Sequence, residues 1–269
     1  MMNIIAFEHV DVAYEDVTIL HDIRLCIKKG QHSAILGANG SGKSTLIKLF
    51  SNDIYPRYND AMKKEIFGKR VWDIWELKKH LGIITNDLHY EFTKRAGLLN
   101  GFEVVLSGFY SSFHIYKHQE VSPLHTQKVD EVLGFLGIEH LRDKVLCEMS
   151  TGEVRKCIIA RALVHDPHAM ILDEPTVGLD IKAQHEFIKM LKKLAQKCTI
   201  ILITHHLEEI FEEISQVILL KSGRIVKQGA KEAMLNDDLL SFVFDMPLHV
   251  SLENGRYSIK SRDESCMNF

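Results

Sequence analysis

The fold of this 269-residue chain is decided by one stretch, Gly37-Ala38-Asn39-Gly40-Ser41-Gly42-Lys43-Ser44-Thr45. It follows a short apolar run, Ser33–Leu36, and precedes residues 46–50, whose apolar side chains predict one face of a helix. Between a strand and a helix, this G-x-x-x-x-G-K-[ST] pattern predicts a phosphate-binding loop. Its glycines allow close backbone approach, and N–H groups at the helix N-terminus attract anions. We expect Lys43 to pair with β and γ phosphates and Ser44 to bind Mg²⁺.

A second apolar run, residues 169–172, ends in two acids, Asp173 and Glu174. The carboxyl ends of parallel strands open into a ligand crevice, so we expect Asp173 to hold Mg²⁺, directly or through water. Glu174 is a candidate to orient and deprotonate an attacking water. Two acids can also simply end a strand. The phosphate loop upstream and Gly178-Leu179-Asp180 downstream favour the catalytic interpretation.

Other apolar patterns predict an α/β fold with a parallel or mixed sheet and helices on both sides. Segments 4–14 and 17–28 alternate apolar and polar residues, which is typical of strands. Further strands are predicted at 199–203, 217–220 and 224–229, and residues 88–150 are predicted to be mostly helical. Residues 231–269 are less regular and contain no motif that predicts a function.

The composition narrows the class of partner. Lys plus Arg total 33 and Asp plus Glu total 36, so a formal net charge of −3 argues against nucleic acid as the main partner. Five cysteines, an odd number without metal-knuckle spacing, are typical of a reducing cytoplasm. The chain start does not resemble a signal peptide, and no apolar run is long enough to cross a bilayer. Any membrane part must then come from a separate partner.

Further motifs give the chain a resemblance to ATP-binding cassette (ABC) ATPases, from about residue 4 to residue 230. Ser150-Thr151-Gly152-Glu153, followed by an apolar helix with Arg161-Ala162-Leu163, resembles the family signature. Gly178-Leu179-Asp180 is similar to the D-loop, with Asp180 as its acid, and His205 is similar to the switch histidine. Tyr14 resembles the aromatic residue that stacks on adenine.

The resemblance implies a P-loop NTPase (RecA-like) mixed sheet with an antiparallel β subdomain and a helical subdomain inserted at about 88–155. The ABC domain would cover 1–230, leaving 231–269 as a C-terminal tail of open role. ATP and Mg²⁺ are the implied cofactors, and the predicted catalytic residues are Glu174, His205 and Lys43. The implied partners are a second cassette, in a head-to-tail homodimer or a heterodimer, and a separate transmembrane permease. The chain itself is expected to be cytoplasmic and peripheral on the inner face of the cell membrane.

The sequence departs from the family pattern at two sites. The signature has Thr151 where the family often has glycine, and Glu153 where it has glutamine. Glu153 either points at the γ-phosphate and weakens its binding or caps its own helix in a capping box with Ser150. The second departure is Asn86, which takes the place of the glutamine that helps to bind the metal; His89 is a second candidate there. His206 is expected on the surface.

Three functions agree with these motifs. The first is a transporter ATPase, with an importer favoured because no membrane domain is fused. Its permease would dock on the helical region, where Phe102, Phe109, Tyr110, Phe113 and Tyr116 are either surface candidates or the subdomain's own core. The second is a soluble cassette that acts on a macromolecule. The third is a regulatory module that holds ATP without turnover, against which Glu174 and His205 both argue.

Overall fold

The computed structural model describes residues 2–116 and 119–262. In chain order, its strands are β1 (Asn3–Tyr14), β2 (Val17–Lys28), β3 (Ser33–Leu36), β4 (Lys63–Ile66), β5 (Leu81–Ile84), β6 (Ala169–Asp173), β7 (Thr199–Thr204), β8 (Gln216–Lys221), β9 (Arg224–Ala230), β10 (Leu248–Glu253) and β11 (Arg256–Ser261). Its helices are α1 (Lys43–Phe50), α2 (Ile74–His80), α3 (Asn86–Arg95), α4 (Gly101–Leu106), α5 (Pro123–Leu136), α6 (Thr151–Leu163), α7 (Ile181–Ala195), α8 (Lys231–Met234) and α9 (Asp237–Phe244).

These elements form two compact units. The first unit runs up to Trp72 and resumes at Thr199, and the second unit is Asp73–Cys198. The strands predicted from alternation and from apolar runs are all confirmed within one or two residues. Within the two described ranges, no helix combines the length and the apolar composition that a bilayer crossing requires.

Two sheets shape the first unit. β1 pairs antiparallel with β2 and with β4, and the side chains of β1 and β2 that face inward are apolar. In the other sheet, β3 is parallel to both β7 and β8, while β9 is antiparallel to β8. All residues of β3 and β7 are buried, as expected for strands covered on both faces. This mixed sheet carries the phosphate loop at the end of β3.

The second unit contains a parallel strand pair and most of the helices. β5 pairs with β6, with Ile84 opposite Leu172, so the segments that follow both strands leave the same edge. Helices α3 to α6 lie in this unit, as the helical prediction for 88–150 requires. The extent of an inserted helical subdomain at about 88–155 stays a prediction.

The tail is more ordered than its sequence suggests. The sequence pattern predicted no element in residues 231–269, whereas the described part contains α8, α9 and the hairpin β10–β11. Asn236 caps α9, and the Asp237 Oδ1 atom accepts the Val250 N–H at 2.7 Å, which ties the hairpin to the helix. Elements of four to eight residues are too short to show a clear period, so tertiary contacts rather than pattern reveal them.

Candidate functional site

The phosphate loop is shaped by close contacts that only glycine allows. A β-carbon on Gly37 would lie 2.4 Å from the Leu220 carbonyl oxygen. At Gly42, φ is +106° and a β-carbon would lie 2.8 Å from Leu20 Cδ2. The loop is therefore pressed against β2 and β8, and any side chain at these positions would push it outward.

Lys43 lies folded into this loop. Its side chain is buried, and its Nζ atom donates to the carbonyl oxygens of Gly37 at 2.8 Å and Ala38 at 3.2 Å. The loop therefore wraps around an ammonium group, which places a positive charge among backbone groups. Asn39 and Gly40 form the exposed tip of the loop.

The start of α1 has hydrogen-bonding capacity that the protein does not use. No side chain caps this helix, whose N-cap is Gly42. The Ser41 hydroxyl is buried and has no hydrogen-bond partner among the described residues. Uncapped N–H groups at a helix N-terminus attract anions, and a phosphate would satisfy them. Ser44 is exposed at the same helix start, where a hydroxyl can reach a phosphate-bound Mg²⁺, and Thr45 is buried behind it. The residues present therefore fit a nucleotide phosphate with its metal.

Two more predicted residues lie in the same unit as this loop. Leu36 pairs with Thr204, so Gly37 and His205 follow neighbouring parallel strands at the same sheet edge. His205 is half-buried, and its ring lies 3.9 Å from the ring of His206, which is half-buried rather than on the surface as predicted. Tyr14 ends β1 and is 42% exposed, so its ring face is accessible to a planar ligand.

The acidic pair lies in the second unit. Asp173 is the last residue of β6, and Glu174 follows with φ of +45°. A left-handed backbone costs free energy for a residue other than glycine, and the turn after β6 imposes it on Glu174. Both side chains are half-buried. Asp180 further along caps α7, where its carboxylate accepts the Ala183 N–H at 2.8 Å.

The signature helix α6 is capped by its own residues. The Ser150 Oγ atom accepts the Glu153 N–H, and Glu153 accepts the Ser150 N–H at 2.7 Å. Lys144 Nζ also donates to both Glu153 oxygens, at 3.0 and 2.9 Å. Burial raises the pKa of Glu153, but the Ser150 and Lys144 hydrogen bonds outweigh burial and lower it. Of the two alternatives for Glu153, the structure therefore shows the helix cap. Thr151 is exposed.

Asn86 lies in a contact that the sequence did not predict. It is the first residue of α3, and its Oδ1 atom accepts the Arg155 Nη2 donor at 2.8 Å. Its predicted metal role stays a prediction. The Asn86 oxygen that would bind the metal accepts a hydrogen bond from a cationic side chain in this structure. His89 is one turn further along α3; burial and the Arg155 charge lower its pKa, and its Nε2 atom has no hydrogen-bond partner among the described residues.

Lys144 and Arg155 are therefore the site residues that sequence reasoning missed. For Arg155 there was a signal, a basic residue in the largely apolar segment that follows the signature. For Lys144 there was none, since a surface lysine in a loop is ordinary.

The aromatic candidates mostly pack within the second unit. Phe109 stacks on His125 with ring centroids 4.3 Å apart, and Phe113 contacts Phe92 at 4.8 Å. Phe102 lies under the Arg142 guanidinium, and the Tyr110 hydroxyl donates to the Glu120 carbonyl at 2.7 Å. Tyr116 is the member of this set that remains half exposed, at 50%.

Comparison with known proteins shows which family this chain resembles. The family profile described as "ABC transporter" matches residues 20–177. A putative ABC transporter ATP-binding protein of Streptococcus mutans is 31% identical over 96% of this chain and 99% of its own. The petrobactin import ATP-binding protein YclP of Bacillus subtilis is 27% identical over 93% of this chain and 97% of its own.

A solved structure shares the fold. The cbiO1 protein of Clostridium perfringens, described as part of the ABC transporter complex cbiONQ, superposes with a TM-score of 0.74 and 28% identity, over 89% of this chain and 93% of its own. The family profile match spans the phosphate loop, the signature and the acid pair. This chain belongs to the ABC transporter family, as a cassette that binds and hydrolyses ATP.

Proposed function

We propose that this chain is the ATPase subunit of an importer and drives a separate transmembrane permease through ATP-dependent closure of a cassette dimer. The observation that carries the ATP-driven part is the uncapped start of α1 beside the buried Lys43 ammonium. The importer assignment is supported by the name of the Bacillus subtilis relative, a petrobactin import protein. The permease is supported by cbiO1, which is part of a transporter complex.

We assign the following roles at the phosphate end of the nucleotide. The backbone of Gly37–Thr45 and the Lys43 ammonium bind the phosphates, and Tyr14 stacks on the adenine ring. His205 donates a hydrogen bond to the γ-phosphate. Ser44 and Asp173 are the residues that would hold Mg²⁺, which neutralises charge on the β and γ phosphates when bound.

Glu174 is the proposed general base. Its role is to orient the attacking water and to accept its proton, and its place directly after Asp173 at the carboxyl end of β6 supports that role. The leaving group is ADP, and hydrolysis converts the γ-phosphate to inorganic phosphate.

Dimer closure follows from the signature. Two copies, or this chain and another cassette, would meet head to tail, with Ser150 and the Gly152 N–H of one facing the ATP of the other. ATP then contacts both subunits and favours the closed state, and loss of the γ-phosphate releases it. The subunit would sit on the inner face of the membrane, with the exposed Tyr116 among the permease contacts.

Two measurements test this proposal. Glu174→Gln should lower kcat about 10²–10⁴-fold and leave ATP affinity unchanged, because it removes a proton acceptor but no phosphate contact. A variant that turns over at the native rate contradicts the assignment of Glu174.

A pull-down of the tagged chain from detergent extract should recover a polytopic membrane protein that stimulates ATP hydrolysis, whereas recovery of ribosomes or DNA would contradict a transport role.

A further inference from the structure

One guanidinium in the second unit connects helix α6 to the loop after Glu174 and to the start of α3. Arg155 lies on α6 and is 4% exposed. Its Nη1 atom donates to the carbonyl oxygens of Pro175 at 2.6 Å and Val177 at 3.0 Å, and its Nη2 atom donates to Asn86 Oδ1 at 2.8 Å. A planar guanidinium can reach several acceptors at fixed angles, which a lysine ammonium cannot do.

The segments that meet at Arg155 are those that the proposed function uses. Pro175 directly follows Glu174, and Val177 directly precedes the Gly178-Leu179-Asp180 loop. Arg155 itself is on the helix that begins at the signature. The Pro175 carbonyl belongs to the Pro175–Thr176 peptide, so this donor fixes the chain one residue beyond Glu174, whose own backbone is in the left-handed region. A shift of about 1 Å in a catalytic group can cost about 10²-fold in rate.

The Asn86 contact bears on how the metal is held. The amide oxygen that accepts from Arg155 is the same atom that would have to ligate Mg²⁺. Two cations drawn to one oxygen repel each other strongly in a partly buried site. One lone pair of the Asn86 oxygen is taken by Arg155, and a metal ion on the other would lie beside a guanidinium of like charge, which disfavours metal binding there.

We propose that Arg155 is a positioning residue that holds the loop after Glu174 in its reactive form, and that Asn86 is the acceptor for Arg155 rather than a metal ligand. This inference rests on the proposed role of Glu174. It predicts that the two side chains act as one unit in catalysis.

A double-mutant cycle on ATP hydrolysis tests the unit. Arg155→Met should lower kcat about 10²-fold with the KM for ATP changed less than about threefold, because the base is displaced but the phosphate loop is intact. Asn86→Leu should lower kcat about 10-fold, and the double variant should be no slower than Arg155→Met alone. If the kcat losses of the two single variants instead multiply in the double variant, the proposal that Arg155 and Asn86 act as one unit is overturned.

Magnesium dependence separates the two roles of Asn86. If Asn86 serves Arg155, the Mg²⁺ concentration for half-maximal activity changes less than about twofold in Asn86→Leu, and Asn86→Asp, which keeps an acceptor oxygen, retains most of the activity. A rise of about 10-fold or more in the Mg²⁺ requirement of Asn86→Leu makes Asn86 a metal ligand and overturns the inference.

Arg161 provides the matched control. It lies on the same helix, donates to Ser107 Oγ at 3.1 Å and to the Ser112 carbonyl at 3.2 Å, and makes none of the Arg155 contacts described above. Arg161→Met should lower Tm while leaving kcat within about twofold, so a loss of kcat equal to that of Arg155→Met would reduce Arg155 to a stability role. If Arg155→Met does not fold, the kcat and Mg²⁺ dependence of Asn86→Leu and Asn86→Asp test the proposal without it. The same assay on Glu174→Gln tests the proposed function separately.

Discussion

Helices α1 and α6 both begin beside a glycine, but their N-termini are satisfied in opposite ways. α1 starts after Gly42 with no side-chain cap, and its start is left to a ligand. α6 starts after Ser150 with a complete capping box, and Lys144 holds the box acid from outside. The N–H groups at the start of α1 are therefore left for a ligand to satisfy, as we propose. Those at the start of α6 are satisfied by the side chains of the capping box. Nucleotide affinity should depend on α1, and α6 should add to turnover without being needed for binding.

The largest effect on ATP affinity is expected from a methyl group at Gly42. Gly42→Ala must place a β-carbon against Leu20 and hold a positive φ, which together cost several kcal/mol, about 1–2 for the left-handed backbone and about 1–3 for overpacking. The loop should relieve this strain by moving, and ATP affinity should fall on the order of 10²-fold. Titration calorimetry measures the loss.

Gly30 is the control for strain alone. Its φ is +80° and a β-carbon there would meet nothing within 4 Å. Gly30→Ala should therefore destabilise the fold but leave ATP affinity within about twofold. Equal losses of affinity in the two variants would show that the Gly42 contact has no special importance.

The equivalent substitution on α6 should separate turnover from binding. A β-carbon on Gly152 would lie 3.4 Å from Leu179 Cδ2, which is an ordinary contact, so Gly152→Ala should fold normally. If the Gly152 N–H faces the ATP of a second subunit, kcat should fall about 10-fold to 100-fold while ATP binding to the isolated chain is unchanged. Native kcat in a folded variant would remove the signature from the mechanism.

Removing the cap should have a smaller effect, on stability. Ser150→Ala deletes the acceptor of the Glu153 N–H and should cost about 1 kcal/mol, or a Tm decrease of about 2–4 °C in a chain of this size. Thermal melting without nucleotide measures it. A Tm equal to that of the native chain would mean that the capping box contributes nothing to α6.

The smallest expected effect is the loss of stability when the Lys144–Glu153 ion pair is removed. Because the pKa of Glu153 is lowered, its contribution to stability is present above the ordinary value of 4.5 and is lost as the pH falls through the folded-state value. Glu153→Gln should therefore lower stability at pH 7 by about 0.2–1 kcal/mol, and the difference should vanish in acid. Lys144→Met should cost a similar amount, and the double variant little more than either. Denaturant melts at pH 7 and below pH 4 provide the measurement, and a difference that persists in acid would exclude the ion pair as its source.

Much of the fold followed from local pattern. Alternation predicted β1 and β2, and continuous apolar runs predicted β3, β6 and β7, because burial on one or both faces selects side chains residue by residue. The short elements of the tail, α8 to β11, were not predicted, since four to eight residues carry too few positions for a period to stand out. The motif residues could be located for a different reason, as glycines and acids at fixed spacing reflect local backbone requirements.

The sequence by itself determined the chemistry of this protein: a glycine loop with Lys43, an acid pair after an apolar strand, and a serine that can cap a helix. Only the tertiary structure decided which partners these groups take. Arg155 meets Asn86 across 69 positions of chain, and Lys144 reaches Glu153 from a loop of no distinctive composition. Backbone geometry is encoded by neighbours in sequence, whereas the choice of a hydrogen-bond partner is made by packing, which brings together residues that no local pattern connects.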